Sequence, residues 1–284
     1  MGIAPVLKPD PEASAPEPDP VAGSAQPGDP HAGTARRAGR IALHLAGFVA
    51  VVLLYLGAAS LMAIAAVRVG ADLLAGIDPF LPQSRRPFIG AMALARRELA
   101  VDILRQLFLA GLLLATAAWR DGRFWRHRLA LDRAEPNGMR ARNLLLVLLL
   151  WPVLHIAWVS FTADLFGTSF GQGTRLSPLL TPVAVAAWLA YVVVLAPAAE
   201  ELLMRGEVFC RARAVLGPRA TILVTALLFC AAHVSGWGLA RPLSLLPLAL
   251  ALGTLRWRTG RLWPCIALHG WSNLALVAYV LWPG

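Results

Sequence analysis

Charged residues are scarce in this sequence: they make up 15% of 284 residues, whereas 58% are apolar and the mean hydropathy is +0.63. A soluble domain usually has about 25% charged and about 45–50% apolar residues. The apolar excess is too large for one globular core, so it excludes an ordinary soluble domain. It predicts several membrane-spanning helices of about 20 residues each.

Cysteine is also rare, with only Cys210, Cys230 and Cys265 in the chain. They are far apart, odd in number and without CxxC spacing. This pattern excludes a disulfide framework and a cysteine metal site. Lone cysteines in apolar helices are more often small packing residues, and we interpret all three in that way.

Acidic residues are outnumbered by basic ones, which give a net charge of +10, and lysine occurs only at Lys8. The basic residues are almost all arginines that flank the apolar runs and do not line one face. This arrangement is typical of topology signals in membrane proteins. It argues against a nucleic-acid partner and predicts the lipid bilayer as the surrounding medium.

The first forty residues differ from the rest of the chain. They are rich in proline, alanine and acidic residues, as in PDPEASAPEPDP, and cannot bury enough apolar surface to offset chain entropy. The sequence therefore predicts a disordered cytosolic tail over 1–40. N-terminal transmembrane helices are predicted over 41–161, an external loop over 162–181 and a membrane-embedded core over 182–282.

The apolar runs predict an all-α, polytopic membrane protein with about seven transmembrane helices. Segment 86–102 is amphipathic, which favours a helix at the membrane interface. The seven predicted spans are roughly 41–68, 103–119, 143–161, 182–204, 219–236, 242–257 and 262–282.

Arginines are unevenly distributed among the connecting loops. Loops 120–142, 205–219 and 256–261 are arginine-rich, whereas loops 162–181 and 237–241 contain one arginine each. Cytosolic loops carry the excess of basic residues in membrane proteins. The sequence therefore predicts an integral protein of a bacterial plasma membrane, with a cytosolic N-terminus and an external C-terminus.

Two adjacent glutamates, Glu200 and Glu201, follow a strongly apolar run in LAPAAEELLMRGEVF. Each ionised carboxylate at bilayer depth costs about 2.5–3.5 kcal/mol, so the pair needs a compensating role. One alternative is structural: Glu201 and Arg205 are four residues apart and could form an ion pair at a helix end near the lipid headgroups.

Imidazole and amide side chains also occur inside predicted spans. His233 lies in ALLFCAAHVSG, and His269 and Asn273 lie four residues apart in LWPCIALHGWSNLAL, which places both on one stripe of a helix. Asparagine is costly in lipid unless it is hydrogen-bonded, so this stripe faces the protein interior. His44 and His155 have no acidic companion at helical spacing, and we interpret them as packing residues.

A predicted hairpin brings these features together. Gly217 and Pro218 indicate a turn between two helices. Glu200 and Glu201 lie about sixteen residues before this turn, and His233 lies about as far after it. Positions equally far from the turn of an antiparallel helix hairpin are level, so the sequence places two carboxylates beside an imidazole within the membrane.

Three short motifs stand in this segment: EELLMR from Glu200, FCAAH from Phe229 and HGWSN from His269, the last preceded by RTGRLWPCIALH. They resemble the EExxxR, FxxxH and HxxxN or HxxxD motifs of the CAAX prenyl protease and bacteriocin-processing family, the CPBP or Abi-like intramembrane peptidases. Order and spacing agree over roughly 182–275, about a third of the chain. Met204 stands where the family often has phenylalanine, a conservative change for packing.

This resemblance implies a fold and an activity. The fold would be helical, with a four-helix catalytic core in the C-terminal half and a cavity that opens toward the cytosol. The activity would be hydrolysis of a peptide bond without a serine or cysteine nucleophile. The substrate would be a membrane protein or lipidated peptide, as in CAAX processing or in bacteriocin maturation or immunity.

The resemblance also implies roles for individual residues. Glu200 would be the general base that activates water, and His233 would hold or polarise that water. His269 and Asn273 would stabilise the tetrahedral oxyanion, and Glu201 would support the site. Two further residues would give structural support: Arg205 and Phe229.

Many members of such a family are regarded as metalloproteases, and His233, His269 and one of the two glutamates, with Glu201 as the named candidate, could hold a divalent ion such as zinc, with water at an open position. A glutamate that activates water without a metal is an equal alternative. The sequence contains no HExxH motif, which would have favoured the metal.

Two other classes of protein remain as alternatives. One is a non-catalytic membrane scaffold with the peptidase fold. The other is a proton-coupled transporter, because buried glutamate and histidine also serve proton pathways. A transporter would favour paired repeats with broken helices, and the sequence shows no internal repeat.

Overall fold

The computed structural model describes residues 30–132, 139–168, 178–234 and 238–281. Within these ranges the chain forms seven helices and no strand, so the predicted all-α membrane fold is confirmed. The helices are α1 Pro30–Leu74, α2 Ala91–Arg128, α3 Ala141–Phe166, α4 Pro182–Arg213, α5 Pro218–Ala231, α6 Ala240–Thr259 and α7 Trp263–Leu281.

Five of these helices are long and apolar enough to cross a membrane by themselves: α1 from Gly39 onward, α2, α3, α4 and α7. Helix α5 has 14 residues, fewer than the roughly 20 that a full span needs. It packs closely on α6, where a Cβ atom on Gly253 would lie 3.1 Å from the Ile222 side chain. The seven predicted spans correspond in order to the seven helices, five of which are long and apolar enough to span a membrane.

Two helix starts differ from the prediction. Helix α1 begins at Pro30, inside the segment predicted to be disordered, whereas residues 1–29 lie outside the described part of the chain. Segment 91–102 is not a separate interfacial helix, because α2 continues through it without a break from Ala91. Alanine and arginine are strong helix formers, and both segments are rich in them.

The chain divides into two units, Met1–Ala42 and Leu43–Gly284. Every residue that the sequence singles out for chemistry lies in the second unit.

Helix α4 is irregular. Two wider, π-helical segments, Tyr191–Leu195 and Leu202–Val208, flank a short α-helical segment, Ala196–Glu201. Pro197 has no backbone N–H to donate to the preceding turn, which accounts for the first of these widenings. Such single wide turns occur frequently at functional sites, and here they surround the adjacent glutamates.

Helix α7 lies directly against the first wide segment of α4. A Cβ atom on Gly270 would lie only 2.3 Å from the carbonyl oxygen of Val193, so a glycine is needed for this approach. Because His269 and Asn273 flank Gly270 on α7, the contact brings both of them to α4.

A buried ion-pair network joins α2 to the end of α4. Glu207 is 1% exposed and accepts two hydrogen bonds from Arg120, at 3.0 and 2.9 Å. Arg211 also donates to Glu207, and Asp121 pairs with Arg120 at 3.2 Å. The network fixes α2 beside the helix that carries both adjacent glutamates.

Candidate active site

Glu201 is the buried anchor of the site. Its side chain has no exposed surface, and its Oε1 atom accepts a hydrogen bond from Arg205 Nη1 at 3.1 Å. The same oxygen lies 2.9 Å from Nδ1 of His269. The Glu201–Arg205 ion pair of the structural alternative is therefore present, but it lies inside α4 and is fully buried, not at the end of the helix.

Arg205 joins several parts of the core. Its Nη2 atom donates to the carbonyl oxygen of Ala249 on α6 at 2.9 Å. Its guanidinium lies 4.8 Å from the ring centroid of Phe229 on α5. Arg205 thus contacts α5 and α6 as well as Glu201, as expected of a residue that supports the site structurally.

Glu200 points to different surroundings from its neighbour, because adjacent residues of a helix project about 100° apart. Its side chain is 21% exposed. Its Oε2 atom lies 3.8 Å from Nε2 of His233 and 3.9 Å from Nε2 of His269. Both distances exceed those of a direct hydrogen bond. One carboxylate oxygen therefore faces two imidazole nitrogens across a short gap.

The two imidazoles are oriented through their other nitrogen atoms. Nδ1 of His233 lies 2.8 Å from the carbonyl oxygen of Phe229, which can only accept a hydrogen bond. Nδ1 of His269 faces the Glu201 carboxylate, also an acceptor. Nδ1 is therefore the donor in both rings, and Nε2 of each ring is directed toward Glu200.

Phe229 packs between these groups. Its ring centroid lies 4.6 Å from that of His233 and 5.6 Å from that of His269, the second in an edge-on geometry. The Phe229 ring also contacts the Arg205 guanidinium, and this packing limits the rotation of both imidazoles. The structural support expected of Phe229 stays a prediction.

Asn273 lies one turn beyond His269 on α7. Its Nδ2 atom donates to the carbonyl oxygen of Val192 at 2.9 Å, in the first wide segment of α4. Its side chain thus faces the interior, as the sequence predicted. One of its two N–H groups is used to hold α7 against α4.

Gln106 on α2 is a site residue that the sequence analysis missed. It is 4% exposed, and its Nε2 atom donates to Oε1 of Glu200 at 3.4 Å. The signal was present, because an amide in the apolar run QLFLAGLLLA is as costly to bury as Asn273. Gln106 lies outside the three motifs, which is why it was not noticed.

Two further polar side chains lie within electrostatic range of Glu200. They are Tyr191, in the first wide segment of α4, and Arg241, at the start of α6. Helices α2, α4, α5, α6 and α7 therefore all contribute to the surroundings of this carboxylate, as do the residues just after α5.

The candidate metal ligands His233, His269 and Glu201 do not converge on one point. Oε1 of Glu201 contacts Nδ1 of His269 and the cationic Arg205, whereas both Nε2 atoms face Glu200. Across the described ranges, no group of three or more histidine, cysteine, aspartate or glutamate side chains has the arrangement of a metal site. The donor set that includes Glu201 does not fit zinc, and no step below involves a metal.

The other two histidines differ from each other. His155 is 1% exposed and forms a hydrogen bond with Ser272 on α7, which agrees with its interpretation as a packing residue. His44 is exposed on α1, so the same interpretation is wrong for it. It lies on a helix that is apolar nearly all round, where the sequence pattern does not distinguish inner from outer faces.

The fold and site define a helical, membrane-embedded protein with a glutamate and two histidines around one accessible point. Residues 182–275 match the family model described as Rce1-like, type II CAAX prenyl endopeptidase Rce1-like. The match covers the segment that carries the site, and it confirms the family resemblance indicated by the three motifs. No curated protein and no solved structure matches the chain.

Proposed function

We propose that this protein is an intramembrane endopeptidase that hydrolyses a peptide bond of a membrane-associated protein or lipidated peptide. One observation carries the proposal: Oε2 of Glu200 lies 3.8 and 3.9 Å from the Nε2 atoms of His233 and His269. A single water molecule can bridge such separations, at about 2.8 Å from each partner. The match to a protease family supports the same activity.

In the first step, Glu200 acts as the general base. Its Oε2 atom takes a proton from a water molecule that His233 holds through Nε2. The water oxygen forms a bond to the carbonyl carbon of the substrate, and the carbonyl oxygen takes up the electron pair. Because Glu200 and His233 each keep about a fifth of their surface exposed, water and substrate can reach this point.

In the second step, His269 and Asn273 stabilise the tetrahedral oxyanion. The buried Glu201 carboxylate accepts from Nδ1–H of His269 and fixes the ring, so that an imidazole carrying a proton on Nε2 as well donates that N–H to the oxyanion. Asn273 would donate its second N–H group. Each pre-organised donor of this kind contributes about 3–4 kcal/mol in a water-poor site.

In the last step, the tetrahedral intermediate collapses. Glu200 returns the proton to the amide nitrogen, and the carbon–nitrogen bond breaks. The products are a free amine and a carboxylic acid, and Glu200 is ionised again. All atoms are accounted for by the substrate, one water molecule and this side chain.

The substrate class and membrane orientation belong to the same proposal. The family description names CAAX prenyl substrates, and the resemblance also includes peptides of bacteriocin maturation or immunity. We further propose a bacterial plasma membrane location with the N-terminus in the cytosol, since the arginine-rich segments 120–142, 205–219 and 256–261, each made of a helix end and the residues after it, would then all lie toward the cytosol.

The experiment that tests the function compares wild type with Glu200→Gln on two kinds of substrate. The first is a farnesylated peptide that ends in a CAAX tripeptide, incubated with purified protein and followed by mass spectrometry. The second is the membrane proteome of cells that express either form. Products that require Glu200 support the proposal, whereas equal product yields from both forms contradict it.

A further inference from the structure

Helix α2 has one polar side chain among the buried residues of its α-helical part. These residues are Leu99, Gln106, Leu109, Leu113 and Ala117. A buried amide costs free energy unless it is hydrogen-bonded, and an apolar side chain would fill this position without that cost. The presence of a glutamine here therefore needs an explanation.

The hydrogen bond of Gln106 goes to one atom. Nε2 of Gln106 donates to Oε1 of Glu200 at 3.4 Å. The direction is set by chemistry, because an ionised carboxylate only accepts hydrogen bonds. The other end of the amide, Oε1 of Gln106, is buried and has no hydrogen-bond partner among the described residues. Among the described residues, the hydrogen bond that the Gln106 side chain forms is thus the one to Glu200.

The two oxygens of Glu200 consequently have different surroundings. Oε1 is occupied by Gln106, whereas Oε2 faces the Nε2 atoms of His233 and His269. A carboxylate that could rotate freely about its Cγ–Cδ bond would spend part of its time with neither oxygen directed at the imidazoles. The amide donor holds it in one orientation.

We infer that Gln106 is a positioning residue of the peptidase reaction, which binds Oε1 of Glu200 so that Oε2 stays directed at the point between the two histidines. The inference rests on the proposed function and assigns a role to a residue outside the segment that matches the family. Gln106 touches neither water nor substrate in this scheme, and it acts through Glu200.

The test is a double-mutant cycle on a farnesylated CAAX peptide. Gln106→Met keeps the length of the side chain and removes the donor. We expect it to lower kcat by about 10- to 100-fold, as misplacement of a reacting group does, and to leave KM within about twofold. Glu200→Asp retracts the carboxylate from Gln106, so adding Gln106→Met to it should lower kcat by less than about threefold further.

Packing alone would give a different pattern. A glutamine that only fills space would lose the same factor in the wild-type and Glu200→Asp backgrounds, and that outcome would overturn the inference. Leu109→Ala is the matched control, because Leu109 lies one turn further on the same buried face and is fully buried. It should lower thermal stability and leave kcat per folded molecule unchanged.

A second variant keeps the inference testable where Gln106→Met does not fold. Gln106→Asn retains an amide but shortens it by one methylene, which should give the same loss of kcat. Wild-type turnover in Gln106→Asn, or failure of both variants to fold, would show that the role of Gln106 is structural only. Wild type that leaves the peptide intact counts against the proposed function itself, and the inference falls with it. If Glu200→Gln is inactive and Gln106→Met is fully active, the inference about Gln106 is contradicted and the proposed function is not.

Discussion

Glu201 and His269 are 68 residues apart in the sequence, and their side chains meet at 2.9 Å inside the protein. The adjacent Glu200 faces the other ring nitrogen of the same histidine across a gap of 3.9 Å. One imidazole therefore lies between two neighbouring carboxylates, of which one is fully buried and the other is accessible. Glu201 thus holds the ring of His269 in place, whereas Glu200 faces the ring nitrogen that takes part in the proposed reaction.

Glu200→Gln should abolish cleavage while the protein remains folded. The amide has nearly the same shape but cannot take a proton from water, and loss of a general base costs about 100-fold or more. The measurement is initial cleavage rate, with thermal unfolding of the same samples. Glu98→Gln is the control, because Glu98 is exposed on α2 and should keep full activity. A Glu200→Gln protein with wild-type turnover would contradict the role of Glu200.

The same variant separates the enzyme from its two alternatives. A proton-coupled transporter would move a solute into liposomes and lose that transport in Glu200→Gln, with no peptide cleaved by either form. A scaffold would retain its function in cells in both Glu200→Gln and His233→Ala. We expect neither result.

Glu201→Gln should destabilise the fold. It leaves the Arg205 guanidinium buried without its carboxylate, and breaking a buried ion pair from one side costs about 3–5 kcal/mol. Thermal unfolding in detergent measures the loss. The double variant Glu201→Gln with Arg205→Met should be less destabilised than the sum of the single variants, because no charge is then left unpaired. Additive losses would show that the pair contributes little.

Gly270→Ala should lower both stability and activity. The added methyl group would lie 2.3 Å from the Val193 carbonyl oxygen, so α7 must move away from α4 and carry His269 and Asn273 with it. Gly111→Ala is the matched control: it adds the same methyl group in α2, where nothing lies within 4 Å. Alanine is the better helix former by about 1 kcal/mol, so this control should be at least as stable as wild type. Equal behaviour of the two variants would refute the close contact.

Cleavage should continue in the presence of EDTA, and purified protein should contain less than stoichiometric metal. The reason is the donor geometry, since the carboxylate that was a candidate ligand is held by Arg205 and by Nδ1 of His269. Elemental analysis on the same active preparation is the measurement. Activity that is lost in EDTA and restored by zinc, together with one zinc per chain, would show that a metal binds in an arrangement different from the one described.

Much of the fold could be predicted because helical membrane proteins are constrained in simple ways. Apolar runs of sufficient length gave the seven helices in order, and the Gly217–Pro218 turn gave the level of Glu200 relative to His233. Their side chains lie 3.8 Å apart. The count succeeded because the two helices run antiparallel from a common turn, although part of α4 is π-helical and His233 lies just after α5.

The remainder depended on contacts between elements that are distant in sequence. No pattern indicates that Gln106 would reach Glu200 across 94 residues, or that Asn273 would donate to Val192. The wide turns of α4 shift the faces of that helix, so a regular 3.6-residue period does not give the direction of its side chains. These features required the packed structure.

The close packing of α7 on α4 limits where a peptide chain could enter. Gly270 against Val193, Asn273 on Val192 and His269 on Glu201 fasten these two helices together at three successive levels. Helices α4 and α7 therefore form a rigid surface that carries most of the reacting groups, namely Glu200, His269 and Asn273. Because the Glu207 network also ties α2 to α4, any widening needed to admit a substrate would come from α5 and the residues just after it. His233 would then reach its place beside Glu200 only after the substrate has bound.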